Sequence, residues 1–342
     1  MMYLLKLYIA LLITTVINSD EKATSSPAQS ADRLVIAFGS CNREYVEQPM
    51  WAEIMKQKPD LWIWLGDNIY GDTDNMDTLE YKYQKQLDNP GYKEFMNNTE
   101  IVGTWDDHDY GINDGGTGYR EKARSQQRFL DFIGEPANTQ RRQQEGIYTS
   151  YLKKAGDLQV KIILLDTRYH RDTLYKKKRA YLPNESGDIL SEQQWQWLEK
   201  ELKGSNADIH IIASSIQVVP EQHAYEKWAN FPNSRQRLFS LIAESKARGT
   251  FFLSGDRHIA EFSKIQIPGM DYPLYDLTSS GLTHTWRKAR KEKNRYRVGQ
   301  LLVKLNYGVL HITKEQDKTV VEASVRGLND ALYFKESFAF EN

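Results

Sequence analysis

Short apolar runs recur along this chain, each followed at once by glycine or charged residues. Leu34 to Phe38, Leu61 to Leu65, Ile101 to Trp105, Val160 to Leu165, Ile209 to Ala213 and Phe251 to Leu253 read as strands buried on both faces. Between them the pattern becomes helical. Pro49 to Lys56 and Gly118 to Phe132 fit helices, and a third opens at Ser191 with Glu192, with Trp195, Leu198 and Leu202 on one face. Beyond Leu301 short strands and turns take over, among them Gly308 to Thr313 and Thr319 to Val325. Buried strands alternating with helices predict a single α/β domain of mixed sheets covered by helices. The late strands predict a second sheet completed near the C-terminus. The intervals 72–98, 110–118 and 170–190 are expected to be loops that shape any pocket.

The N-terminus has a separate character. Lys6 precedes the apolar run Leu7 to Ile17, after which polar Asn18-Ser19-Asp20 follows directly. A bilayer-spanning helix needs roughly 20 apolar residues, so the run predicts a secretory signal over residues 1–18; an N-terminal membrane anchor is the other reading. With no twin-arginine pair and no lipobox cysteine, the expected route is of the Sec type, to a periplasmic or extracellular location. Residues 19–32 read as a polar, disordered linker and 33–342 as the folded domain, monomeric and without a membrane span.

Charge and cysteine content narrow the chemistry. Forty-five Lys and Arg against 46 Asp and Glu leave a net charge of −1, which argues against a dedicated nucleic-acid binder. Cys41 is the only cysteine, so an intrachain disulfide is impossible, and the thiol is either buried filler or a ligand. The basic run Arg287 to Arg297 reads as a solvated surface or as an attractor of anions. Trp62, Trp64, Trp195 and Trp197 read as packing groups.

The candidate chemistry lies directly after the apolar strands. Gly39-Ser40-Cys41-Asn42, Gly66-Asp67-Asn68-Ile69-Tyr70-Gly71-Asp72, Asp106-Asp107-His108-Asp109 and Ser254-Gly255-Asp256-Arg257-His258 each follow one. Ligands of α/β sheets bind at the carboxyl ends of strands, and carboxylates gathered there repel one another unless cations neutralise them. Any one of these loops is as well explained by a turn or a solvated acidic segment. Four together, each after a buried strand, point to a metal cluster. No Gly-x-Ser-x-Gly elbow provides a serine nucleophile.

The segments FGSCN, GDNIYGD, TWDDHDYG, LDTRYHR and FLSGDRH, in this order, resemble the PhoD-like phosphatase (alkaline phosphatase D) family of the calcineurin-like metallophosphatases. The resemblance runs from about Phe38 to about His258. It implies a four-layer αββα sandwich and an exported, metal-dependent hydrolase of phosphoric mono- and diesters that uses a metal-activated water or oxide. By that resemblance Cys41, Asp67, Tyr70, Asp256 and His258 hold ferric iron. Asp67 bridges to calcium, for which Asn68, Asp106 and Asp107 are oxygen donors suited to a hard cation; other divalent metals are the alternative cofactors. His108 is expected to face the phosphoryl group of a small ester substrate, or else to be a ligand. Arg168 is expected to grip a phosphate oxygen or to pair with a loop carboxylate, Asn42 is a weaker contact candidate, and Arg257 is expected to point away. A phospholipase, a nuclease and a non-catalytic secreted metal-binding module are the rival functions.

Overall fold

The computed structural model describes residues 32–341; the expected signal segment 1–18 and nearly all of the linker lie outside the described residues. Two large mixed sheets stack face to face. The first contains β1 (Arg33–Gly39), β2 (Leu61–Leu65), β3 (Glu100–Thr104), β13 (Tyr307–Lys314), β14 (Lys318–Arg326) and β15 (Leu332–Glu341), in the order β15-β14-β13-β1-β2-β3. The second contains β4 (Thr149–Ala155), β5 (Leu158–Leu164), β8 (Ile209–Ser214), β9 (Thr250–Ser254), β10 (Ala260–Ile265), β11 (Leu274–Ser279) and β12 (Arg297–Leu302), in the order β12-β10-β11-β9-β8-β5-β4. A separate exposed hairpin joins β6 (Tyr175–Lys177) to β7 (Ala180–Leu182).

Alternation within the strands builds the layers. Ile36, Phe38, Leu61, Ile63 and Leu65 meet Ile162, Leu164, Ile211, Phe251 and Leu253 between the sheets. Their neighbours face outward: Ala37, Trp62 and Trp64 from the first sheet, Ile163, Ile212 and Phe252 from the second. Both faces must be covered because both carry apolar side chains. Helices α1 (Met50–Lys56), α2 (Met76–Leu87), α3 (Pro90–Met96) and α5 (Lys122–Phe132), the last preceded by the single turn α4 (Asp107–Tyr110), cover the first sheet, and α6 (Glu192–Lys203) and α7 (Pro232–Ser245) the second. The result is a four-layer αββα sandwich. Ser191 caps α6 by accepting from the Gln194 amide at 3.2 Å. No helix among the described residues is long and apolar enough to cross a membrane.

Two expectations are corrected. Most of the interval 72–98 is helical: Asn75 accepts from the amides of Asp77 and Thr78 to start α2, and Asn89 with Pro90 starts α3. The late strands do not complete a second sheet. β13 pairs antiparallel with β1, so the C-terminal strands extend the first sheet from its N-terminal strand outward. Strands β1, β2 and β3 run parallel, as do β5, β8, β9 and β11, so their carboxyl ends form common edges where the site lies.

Trp51 anchors the outer layer of the first sheet, 1% exposed, with ring centroids 5.3 Å from Trp62, Trp64 and Phe95 and 4.8 Å from Tyr92. Trp51→Ala is expected to cost about 3–5 kcal/mol of folding free energy. Denaturant titration of the variant checks this, and a loss under about 1 kcal/mol would show that the ring cluster does not hold the helical layer.

Candidate metal centre

Each chemically active loop begins where a buried strand ends, and the loops are drawn together by close backbone approaches. After β2, Gly66 takes φ +91°, and a Cβ there would sit 2.4 Å from the Cβ of Asp106 after β3. After β9, a Cβ at Gly255 would meet the Leu65 carbonyl at 2.6 Å and Ser40 Oγ at 2.7 Å. Glycine is required at both positions for the loops to touch. Cys41, Asp67, Asp72, Asp256 and His258 themselves take positive φ of 60, 50, 43, 64 and 54°, a conformation that costs L-residues free energy and concentrates at functional sites.

Cys41, Asp67 and His258 bring one ligand atom each within 4.8 Å of one another, and Asp67, Asp107 and His108 do the same, so Asp67 is common to both groups. Cys41 Sγ lies 3.4 Å from Asp67 Oδ2. The Tyr70 hydroxyl donates to the same oxygen at 3.1 Å and is 3.0 Å from His258 Nε2. Asp256 follows β9 after Gly255, with no hydrogen bond to the others among the described contacts. His108 stacks on Tyr70 at a centroid distance of 4.3 Å, and its Nδ1 is held by Asp72 at 2.8 Å.

A second layer orders these groups. Asp109 is fully buried and accepts from the amides of Asp67, Asn68 and Asp106 and from the Asn68 side chain, at 2.6–3.2 Å. Asn68 therefore spends its amide nitrogen on Asp109 and Thr104 and turns its oxygen the other way. Arg168 is fully buried: Nε donates to Asp106 Oδ1 at 2.6 Å and Nη1 to Glu226 Oε2 at 2.6 Å. Of its two anticipated roles, the structure has the pairing with a loop carboxylate. Asn42 points its side chain to Gln86 and the Asn68 carbonyl, away from the cluster. Arg257 pairs with Glu292 at 2.6 Å.

The electrostatics fit a cation. Burial pushes the Cys41 thiol, the Tyr70 phenol and the carboxyls of Asp67 and Asp256 well above their ordinary values, and neighbouring carboxylates push further. Burial also raises Asp106 to about 7, although Arg168 opposes it. Against its own burial, His108 is raised to about 11 by Asp67 and by its bond to Asp72. Asp67 Oδ1, Asn68 Oδ1 and Asp106 Oδ2 are buried with no hydrogen-bond partner. Buried anionic donors and orphaned oxygens of this kind are stabilised by a metal ion.

Three groups at the site escaped the sequence reading. His284, after β11, places Nε2 3.0 Å from the Tyr70 hydroxyl, and its ring lies 4.3 Å from that of His258. Burial lowers it to about 2. Ser280 Oγ lies 3.0 Å from Cys41 Sγ and accepts from the His258 amide at 2.8 Å. Arg43, two residues beyond Cys41, sits 5.5 Å from the centre of the Tyr70 ring with its Nε unpartnered. The motif around Cys41 contained the signal for Arg43, whereas β11 interrupts its apolar residues with Asp276, Thr278 and Ser279 and did not read as a buried strand.

Comparisons with known proteins bear on the family and the fold. The family profile described as PhoD-like phosphatase matches residues 36–283. A solved structure described as PhoD superposes with a TM-score of 0.71 at 18% identity, covering 92% of this chain and 71% of that one. A putative 5′-nucleotidase from Staphylococcus aureus aligns at 10% identity with a TM-score of 0.42, covering 90% of this chain and 54% of its own. Vps29 from Chaetomium thermophilum aligns at 9% with a TM-score of 0.31, over 91% and 98% of the two chains. The last two similarities are too low to bear on function. No curated protein matches the sequence significantly.

Replacing Arg168 by Met would leave Asp106 and Glu226 buried without their shared cation. Breaking such a pair from one side is expected to cost about 3–5 kcal/mol. Thermal and denaturant unfolding of Arg168→Met measures it, and a variant as stable as the parent would show that Arg168 does not hold the two carboxylates.

Proposed function

The chain belongs to the PhoD-like phosphatase family, and from that premise we propose that the donor cluster is an iron–calcium centre hydrolysing phosphoric mono- and diesters. Membership itself makes the protein a metal-dependent phosphoesterase. The observation that carries the finer reading is the mixed donor set: a thiol and a phenol against Asp67 Oδ2 with an imidazole beside the phenol, and unpartnered oxygens on Asp67, Asn68 and Asp106. Thiolate and phenolate suit a trivalent iron, so Cys41, Asp67, Tyr70, Asp256 and His258 are its proposed ligands. Asn68, Asp106 and Asp107, with Asp67 as the bridge, are the proposed oxygen donors to calcium. When bound, such cations neutralise phosphoryl oxygens and acidify water.

The chain's own residues then orient the ester and handle its leaving group. His108 is fixed through Nδ1 by Asp72, which leaves Nε2 to face the phosphoryl group and pass a proton to the departing oxygen. Arg43, unlike Arg168, has no ion-pair partner among the described residues and sits beside Tyr70 with its Nε unpartnered, so it is the better-placed cation for a phosphate oxygen. Arg168 is assigned the positioning of Asp106. Tyr70 is gripped from three sides by Asp67, His258 and His284, which fixes its oxygen before any ion arrives. The proposed protein is exported through the segment 1–18 and acts as a monomer.

Metal content and turnover of variants, measured side by side, test the roles. Asp67→Asn is expected to lose metal and activity together, along with any visible charge-transfer band. His108→Ala is expected to keep its metal and lose about 10²–10⁴-fold in turnover. If His108→Ala empties the site while Asp67→Asn keeps both ions, the two assignments are exchanged. Colourless, fully active protein holding only zinc would remove iron from the proposal.

Export has its own check. Sequencing of the native protein is expected to find a new N-terminus between about Ser19 and Asp32, following the signal-peptide pattern. An intact Met1 would refute cleavage.

A further inference from the structure

The basic stretch 287–297 divides into two sets in the folded chain. Arg295 and Arg297 spend their charge on Glu221 at 2.5 Å and Glu261 at 2.6 Å. Arg287 and Arg290 do not. Both are exposed, and among the described residues neither has a carboxylate within ion-pairing distance. With Lys304, which lies 5.1 Å from the centre of the Tyr333 ring, they line a cleft of about 570 Å³. No Asp or Glu lines it; its remaining walls are Thr285, the apolar Val303, Leu305 and Leu328, Tyr333 and His284.

His284 ties this cleft to the centre. The same imidazole that lines it stands 3.0 Å from the Tyr70 hydroxyl. Lys288, Lys291 and Lys293 have no ion pair among the described residues either, but they do not line the cleft; what sets Arg287, Arg290 and Lys304 apart is that all three do. Gathering like charges without a counter-charge is unfavourable, and an anion that joins them removes the penalty. Guanidinium forks suit phosphate oxygens in particular. The apolar wall offers contact to the carbon skeleton between two anionic groups.

We propose that the Arg287–Arg290–Lys304 cleft is a second anion subsite, which binds a phosphate or other anionic group of the substrate away from the ester being cleaved. The enzyme would thereby favour phosphoric esters that carry a second anionic group. The inference deepens the phosphoesterase reading and rests on it.

The test compares fructose 1,6-bisphosphate with fructose 6-phosphate on the full, metal-loaded chain, by calorimetric binding and by kcat/KM. The wild type is expected to prefer the bisphosphate by about tenfold, the size of one or two charge-assisted contacts. In the Arg287→Ala/Arg290→Ala variant that ratio should fall towards one, with the change in affinity and KM rather than in kcat. Lys304→Ala, on a different element, should lower it in the same sense. Lys288→Ala removes one positive charge, as each of the single replacements does, from the same turn but does not line the cleft, and should leave the ratio intact. Equal affinity of the wild type for the two sugars overturns the subsite, as does a Lys288→Ala effect as large as that of the double variant. Failure to hydrolyse any ester, p-nitrophenyl phosphate included, would instead overturn the phosphoesterase reading, and the binding comparison still decides the subsite.

Discussion

The rest of this structure is organised around one electrostatic constraint: a thiol, a phenol and several carboxyls are held out of water within a few ångströms of one another. Asp67 is the point of greatest crowding, in contact with Cys41 and Tyr70 and flanked by Asp106 and Asp107. Carboxylates in such a setting repel, and their charged forms are penalised by burial. The chain answers with counter-charge and hydrogen-bond donors of its own. Arg168 pairs with Asp106 and Glu226, the latter shared with Arg171, and Asp109 gathers the amides of three loop residues into one carboxyl. What these groups leave unanswered is the set of orphaned oxygens on Asp67, Asn68 and Asp106, which is where a cation is called for.

Rigid sheets make that crowding sustainable. The loops leave adjacent parallel strands whose register is fixed by a core packed on both faces. Positive φ at Cys41, Asp67, Asp72, Asp256 and His258 turns each side chain inward at once rather than over a wide arc. The cumulative strain is on the order of several kcal/mol, and only a large, well-packed domain can hold it. The buried indole cluster of Trp51, Trp62 and Trp64 beneath the β2 loop is part of that support.

Much of this was legible in the sequence, for identifiable reasons. Strands buried on both faces give continuous apolar runs, so β1, β2, β5, β8 and β9 were visible, and the polar loops after them marked the site. The four-layer architecture came with the family resemblance. β11 was hidden because its Asp276 is buried as a structural group, accepting from Ser254 and from the amides of Val218 and Val219. With β11 obscured, His284 had no strand end to mark it. Arg168 was ambiguous because an arginine after a strand suits a phosphate and a carboxylate equally, and its pairing with Asp106 and Glu226 is visible only once the fold brings the three together. Helices α2 and α3 were lost among polar residues whose caps, Asn75 and Asn89, also suit loops. Partner choice among the C-terminal strands was not encoded locally at all.

That last pairing sets an order of events in time. β1 lies between β2 and β13, and Arg33 is matched with Thr313 across nearly the whole length of the chain. Contacts of such long sequence separation form late and slowly. Until residue 313 has left the ribosome, β1 lacks one of its two neighbours, and the loop carrying Cys41 hangs from a half-paired strand. A growing chain must therefore be made as far as β13 before its first loop is locked, and the centre that begins at Cys41 matures only after that strand has been added.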